Sequence, residues 1–119
     1  MKLEEIKDVL KANLKVGEDK LDLEIEVGAG GDLMSDFLRR PMNGVVILSG
    51  LNNLQVVRTA VIAGVAALVL VRGKEPDREM LAEALAHDLP VLTTSCTLFT
   101  ACGLLFRQGL RGLDQKRSE

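Results

Sequence analysis

The sequence predicts a single three-layer α/β domain, with a four-stranded, mainly parallel sheet between helices. Residues 45–48 and 67–71 are uninterrupted β-branched and aliphatic runs, as strands buried on both faces require. A helix-length amphipathic segment separates them. The same strand-then-helix alternation recurs on either side, and parallel neighbours need crossovers long enough to hold a helix.

Residues 2–14 place Leu3, Ile6, Leu10 and Leu14 on one helical face, so an amphipathic helix is expected to end near Gly17. Leu23, Ile25 and Val27 then alternate with Asp22, Glu24 and Glu26, the period of a strand with one wet face near a sheet edge. Gly28-Ala29-Gly30-Gly31 reads as the loop that follows. Asp32 reads as the N-cap of a helix carrying Leu33, Met34, Phe37 and Leu38, which must stop before Pro41. The strand at 45–48 ends at Ser49-Gly50. Asn52 or Asn53 caps the next helix, which carries Val56, Val57, Ala60, Val61 and Ala63 and closes at Gly64. The strand at 67–71 ends at Arg72-Gly73. Pro76 suits the first turn of the following helix, Asp77, Glu79 and Glu83 favour its dipole, and Met80, Leu81, Ala84 and Leu85 form its buried face. A fourth strand at 91–93 follows Pro90, and residues 97–108 make a last helix with Gly109 at its end. Residues 1–110 are therefore expected to form one domain and 111–119 a polar tail.

Composition narrows the function classes. With 119 residues the chain can bury a core without staples. A net charge of -2 and the absence of Trp and Tyr provide neither the electrostatics nor the stacking surface of a nucleic-acid binder, and the three Phe are expected in the core. The N-terminal residues lack the apolar core of a signal peptide, and the longest apolar run, 61–71, is about half of the roughly 20 residues a membrane helix needs. The expectation is a cytoplasmic protein that binds no membrane. Cys96 and Cys102 match neither redox nor zinc spacing, and His87, the sole histidine, is distant in sequence, so no metal or other cofactor is indicated. The cysteines are read as reduced thiols on or beside a buried helix.

In such a sheet all four strands end on one rim, where ligands of open α/β sheets bind. The residues brought there are Gly30, Gly31, Ser49, Gly50, Asn52, Asn53, Arg72, Gly73, Thr94, Ser95 and Thr97. Helix N-termini, the Arg72 guanidinium and these neutral hydrogen-bonding groups together suit a small anionic ligand or nucleotide. Each of these residue types is also an ordinary turn or capping residue. The 28–32 segment does not match the dinucleotide pattern G-x-G-x-x-G, and no G-x-x-x-x-G-K-S/T phosphate loop occurs, which excludes the usual P-loop kinase. Asp32 and Asp36 suit a hard cation or an acidic first helical turn equally. Arg58 falls within a helix and reads as a surface or salt-bridge residue. Neither cysteine has a neighbouring His and no serine or threonine has an evident base, so no catalytic residue is assigned.

The run VVILSGLNNLQVVRTAVIAGVAALVLVRGKEPD, followed by LPVLTTSCTLFTACGLL, resembles the DRTGG domain family, related to the N-terminal domain of HPr kinase/phosphorylase. The resemblance spans roughly residues 21–110. Gly50 matches the family's first turn, while Leu51 and Asn52 stand where Asp-Arg is favoured. Arg72 and Gly73 stand within its Thr-Gly-Gly turn, of which the last Gly is kept, and Thr93, Thr94, Thr97, Phe99 and Thr100 fit the final strand and helix. The VRTA segment, the VRGK turn and the FxxCG helix are similar to a stand-alone subgroup found in anaerobes beside genes of iron-only hydrogenase and redox-sensing systems. In larger members the domain accompanies nucleotide-binding CBS domains of pyrophosphatases or occurs in phosphotransacetylases. The resemblance therefore implies a regulatory or dimerising module without the catalytic kinase domain. The expectation is a non-catalytic homodimer that binds a small anionic metabolite or nucleotide; the alternative is an assembly or accessory factor for an iron-only hydrogenase or other redox-enzyme partner.

Overall fold

The computed structural model describes residues 1–32 and 34–115. Its sheet contains β1 (Asn13–Val16), β2 (Val27–Gly30), β3 (Val45–Ser49), β4 (Ala67–Leu70), β5 (Val91–Thr93) and β6 (Arg111–Gly112), ordered β1-β5-β4-β3-β2-β6. Strands β2 to β5 are mutually parallel, as expected, and β6 is parallel to β2. β1 is antiparallel to β5. The sheet thus gains a short strand at each edge beyond the predicted four.

The helices are α1 (Leu3–Leu10), α2 (Leu54–Ala63), α3 (Arg78–Ala86) and α4 (Leu98–Arg107). Alternation along β3 explains the three layers. Val45 and Ile47 face the core shared with Val57, Ala60 and Met80, whereas Val46 and Leu48 face the core shared with Leu3, Ile6, Ala101 and Leu105. Each large aliphatic side chain so buried contributes about 1.5–3 kcal/mol. The capping signals were legible: Asn53 caps α2 by accepting from the Val56 amide at 3.0 Å, and Gly64 closes it in a left-handed conformation.

Four local expectations are corrected. The N-terminal helix stops at Leu10, because Lys11 turns left-handed and its amide and that of Ala12 bond back to Asp8 and Lys7; Leu14 belongs to β1. The glycine-rich segment is strand rather than loop. A Cβ at Gly28 would lie 3.0 Å from Leu110, and one at Gly30 would lie 2.9 Å from the Cys102 Sγ, so missing side chains here let Leu110 and α4 seat on β2. Of the strand expected from Leu23, only Val27 joins the sheet, Glu24 making an isolated bridge to Lys2. Residues Met34–Leu38 form a 3₁₀ rather than an α-helix; Leu33 and the side chains of Met34 and Asp36 lie outside the described residues.

Burial differs at three large residues. Phe37 is in the core, but Phe99 and Phe106 on α4 are 89% and 51% exposed, and Leu85 on α3 is 68% exposed. Residues 111–115, expected in a polar tail, carry secondary structure, and residues 116–119 of that expected tail lie outside the described residues. Leu110 is buried against Gly28, Arg111–Gly112 pairs with β2, and a 3₁₀ turn follows at Leu113–Gln115. No helix of the described residues is long and apolar enough to cross a membrane.

Candidate functional site

The four parallel strands end on one rim, and the connections between them are tied together there. Ser49, fully buried, donates its hydroxyl to Asp32 Oδ1 at 3.0 Å and accepts from the Leu51 amide at 3.2 Å. The Gly50 amide also donates to Asp32 Oδ1, at 2.8 Å. Asp32 therefore anchors the turn after β3. Asn52 donates its side-chain amide to the Glu75 carbonyl at 3.2 Å, so that turn is joined in turn to the one after β4.

The connection after β4 is the most constrained part of the rim. Arg72 (φ 61°) and Gly73 (φ 69°) are consecutive left-handed residues, and the Lys74 amide closes on the Val71 carbonyl at 3.3 Å, the pattern of a type I′ turn. A non-glycine residue in this conformation costs roughly 1–2 kcal/mol. The turn is held by Arg72 N–H to the Cys96 carbonyl at 2.7 Å and Gly73 N–H to the Thr94 carbonyl at 2.9 Å. The Arg72 guanidinium lies across Gly50, donating to its carbonyl at 3.4 Å. A Cβ at Gly50 would come within 2.6 Å of Arg72 Nη2, so glycine is what admits the guanidinium.

The remaining predicted residues divide by role. Asn53 and Thr97 cap α2 and α4 with their own side chains, which occupies the oxygen each would offer a ligand. Thr94 is buried and donates its hydroxyl to the Leu10 carbonyl at 2.8 Å. Ser95 is exposed. Gly30 packs against Leu98 and Cys102, and the Gly31 amide donates to the Leu48 carbonyl at 3.0 Å, so these two support the fold of the rim. A polar cavity of about 180 Å³ opens beside the Gly73 turn, with Thr94 and Ser95 joined on its wall by Lys11, Asn13 and Glu75. Sequence reasoning missed those last three because they come from the end of α1, the first residue of β1 and the segment before α3.

A second, apolar cavity of about 110 Å³ lies between β2, β6 and α4, lined by Cys102, Leu105, Phe106 and Leu110. Arg111 stacks over the Phe106 ring at 4.0 Å. Burial pushes the Cys102 thiol above its ordinary pKa, which keeps it protonated and weakly nucleophilic at neutral pH. Both cysteines are free and partly buried. His87 faces Glu83 at 3.4 Å on α3, and Arg58 is exposed on α2. No cluster of three His, Cys, Asp or Glu suited to a metal occurs among the described residues.

The DRTGG domain family matches residues 5–107, most of the chain. The chain belongs to the DRTGG domain family. Among solved structures it is similar to the CBS and DRTGG domains of the regulatory region of Clostridium perfringens pyrophosphatase, solved in complex with the activator diadenosine tetraphosphate. That similarity has a TM-score of 0.74 at 21% identity and covers 87% of this chain but 45% of the other, so the chain spans about half of that regulatory region and shares its fold. No curated protein matches. In this DRTGG domain the turns after β3 and after β4 are neighbours across parallel strands, and Arg72 of the second lies over Gly50 of the first.

Proposed function

We propose that this DRTGG domain is a non-catalytic, cytoplasmic regulatory module that binds a small anionic metabolite or nucleotide at the strand-end rim. The observation that carries this reading is Arg72. An arginine occupies a left-handed position that glycine or asparagine would fill without strain, and it extends a guanidinium with spare donors over the Gly50 turn. Strain retained at a ligand-facing residue is the signature of a position kept for binding rather than stability. The regulatory region of the clostridial pyrophosphatase, similar in fold, takes a nucleotide activator. Melting curves with adenine and guanine nucleotides, acyl phosphates, phosphate and sulfate test the reading. A ligand at about 100 times its dissociation constant contributes roughly 2.7 kcal/mol, a shift of several degrees in a domain of this size. Arg72→Asn should abolish that shift while leaving the unliganded melting temperature equal or higher. A chain indifferent to every compound would refute the reading.

A second reading is favoured by α4. Phe99 and Phe106 are exposed on either side of Gly103, itself exposed, and a Cβ at Gly103 would meet nothing within 4 Å. A mid-helix glycine costs about 1 kcal/mol against alanine, and no neighbour within this chain requires it. The two Phe are equidistant from the helix midpoint, which suits a two-fold contact in which each Phe meets the other of a second copy. On this reading the domain is an assembly factor, homodimeric through α4. Sedimentation of the parent as a dimer and of Phe99→Asp as a folded monomer would support it; a monomeric parent retaining its exposed α4 would point instead to a different partner protein, such as a redox enzyme.

A further inference from the structure

Resting on the rim reading above, we propose that the polar cavity beside the Gly73 turn is a second anion subsite built on Lys11, so that the ligand carries two separated anionic groups, as a nucleoside di- or triphosphate does, laid across the turn between Lys11 and Arg72.

Backbone geometry supplies the first argument. Three non-glycine residues among those described are left-handed: Lys11 (φ 51°), Arg72 (φ 61°) and Asp88 (φ 54°). Asp88 precedes β5, at the opposite end of the sheet, and aspartate tolerates this conformation. The other two are basic and both stand at the rim, Arg72 within the Arg72–Gly73 turn and Lys11 on the wall of the cavity beside it. Lys11 occupies the helix-closing position where glycine is the usual residue.

Both positions hang on Thr94. Its buried hydroxyl donates to the Leu10 carbonyl at 2.8 Å and so fixes the end of α1 from which Lys11 projects. Its carbonyl accepts the Gly73 amide at 2.9 Å and so fixes the turn that carries Arg72. The cavity beside Lys11 and Gly73, about 180 Å³, far exceeds the roughly 10–15 Å³ that one water requires, and its wall offers Asn13 and Ser95 as further hydrogen-bonding groups. Glu75 on the same wall would repel an anion, but its carboxylate is paired with Lys15 at 3.0 Å. The Lys11 ammonium has no hydrogen bond or ion pair among the described residues.

The test is calorimetric titration of the full chain with inorganic phosphate, AMP, ATP and tripolyphosphate at low salt. ATP and tripolyphosphate should bind at least about tenfold more tightly than AMP and phosphate, the worth of one charge-assisted contact. Lys11→Asn should remove that advantage, leave AMP binding unchanged and keep or raise the melting temperature, since asparagine accepts the left-handed backbone. Lys11→Gly serves as the same test should the Asn variant fold poorly. ATP binding unchanged in either variant would overturn the proposal, as would loss of AMP binding along with ATP, which would mean one shared site. If Arg72→Asn abolishes all binding and Lys11→Asn alters none, the rim reading stands and the subsite falls. If the parent binds no probe, both fall.

Discussion

Thr94 shows how a residue chosen for its chemistry can work for the fold instead. As a hydroxyl at a strand end it reads as a ligand donor, yet it is 3% exposed and spends its proton on a carbonyl 84 residues earlier in the chain. No local pattern reports such a partner, because Leu10 becomes its neighbour only when α1 packs beside β5. Thr94→Val preserves shape and removes the hydroxyl, leaving the Leu10 carbonyl and the Cys96 amide without this partner. An unsatisfied buried group costs about 1–3 kcal/mol. Urea unfolding should therefore show a loss in that range at unchanged m-value; a variant as stable as the parent would mean that water replaces the hydroxyl. Arg72 is the opposite case. It was legible from sequence as the cation at a strand end, and the structure adds what sequence could not: the backbone strain and the glycine that makes room for it.

At the scale of elements, legibility tracked whether a local signal had a single physical meaning. The runs of β3 and β4 read as doubly buried strands and are, and Asn53 and Gly64 fulfil the capping roles expected of them. Asp77, expected only to favour the dipole of α3, and Thr97, expected inside the last helix and at the ligand rim, prove to be N-caps. Misreadings fell where two meanings shared one pattern. Leu14 continues the helical spacing of Leu3, Ile6 and Leu10 by phase alone, and no glycine marks the end at Lys11. Glycines at 28 and 30 serve equally in a loop or in a strand against which another element packs closely. The close approach is testable at Gly30, whose extended backbone accepts any residue. Gly30→Ala would place its Cβ 2.9 Å from Cys102 Sγ and 3.1 Å from Leu98 Cδ1, and overpacking of this kind costs about 1–3 kcal/mol. Adding Cys102→Ala should recover part of the loss, so that the double variant is more stable than the sum of the singles implies. Equal effects of Gly30→Ala in both backgrounds would show that α4 yields elsewhere.

At the scale of the whole molecule, the rim is the place where the two layers of helices meet through the sheet. α1 and α4 cover one face, α2 and α3 the other, and Thr94 links the end of α1 to the turn between β4 and α3. A ligand held at Arg72 and Lys11 would therefore draw on both layers, giving a regulatory module a route from that site through α1 to α4, whose buried face shares a core with α1. The route has a physical readout in amide hydrogen exchange, which reports local opening. The amides of Lys11 and Ala12 close α1, and those of Arg72 and Gly73 bond to the segment after β5. ATP should slow exchange at all four. It should leave unchanged the Gly64 amide, which closes α2 at the opposite end of the sheet. In Thr94→Val the response at Arg72 and Gly73 should persist and that at Lys11 and Ala12 should shrink, because the variant cuts a side-chain bond that ties α1 to the segment holding the turn. Slowing confined to Arg72 and Gly73 in the parent would show that ligand and α1 are uncoupled, and the signal would then have to leave through α2 or α3 instead.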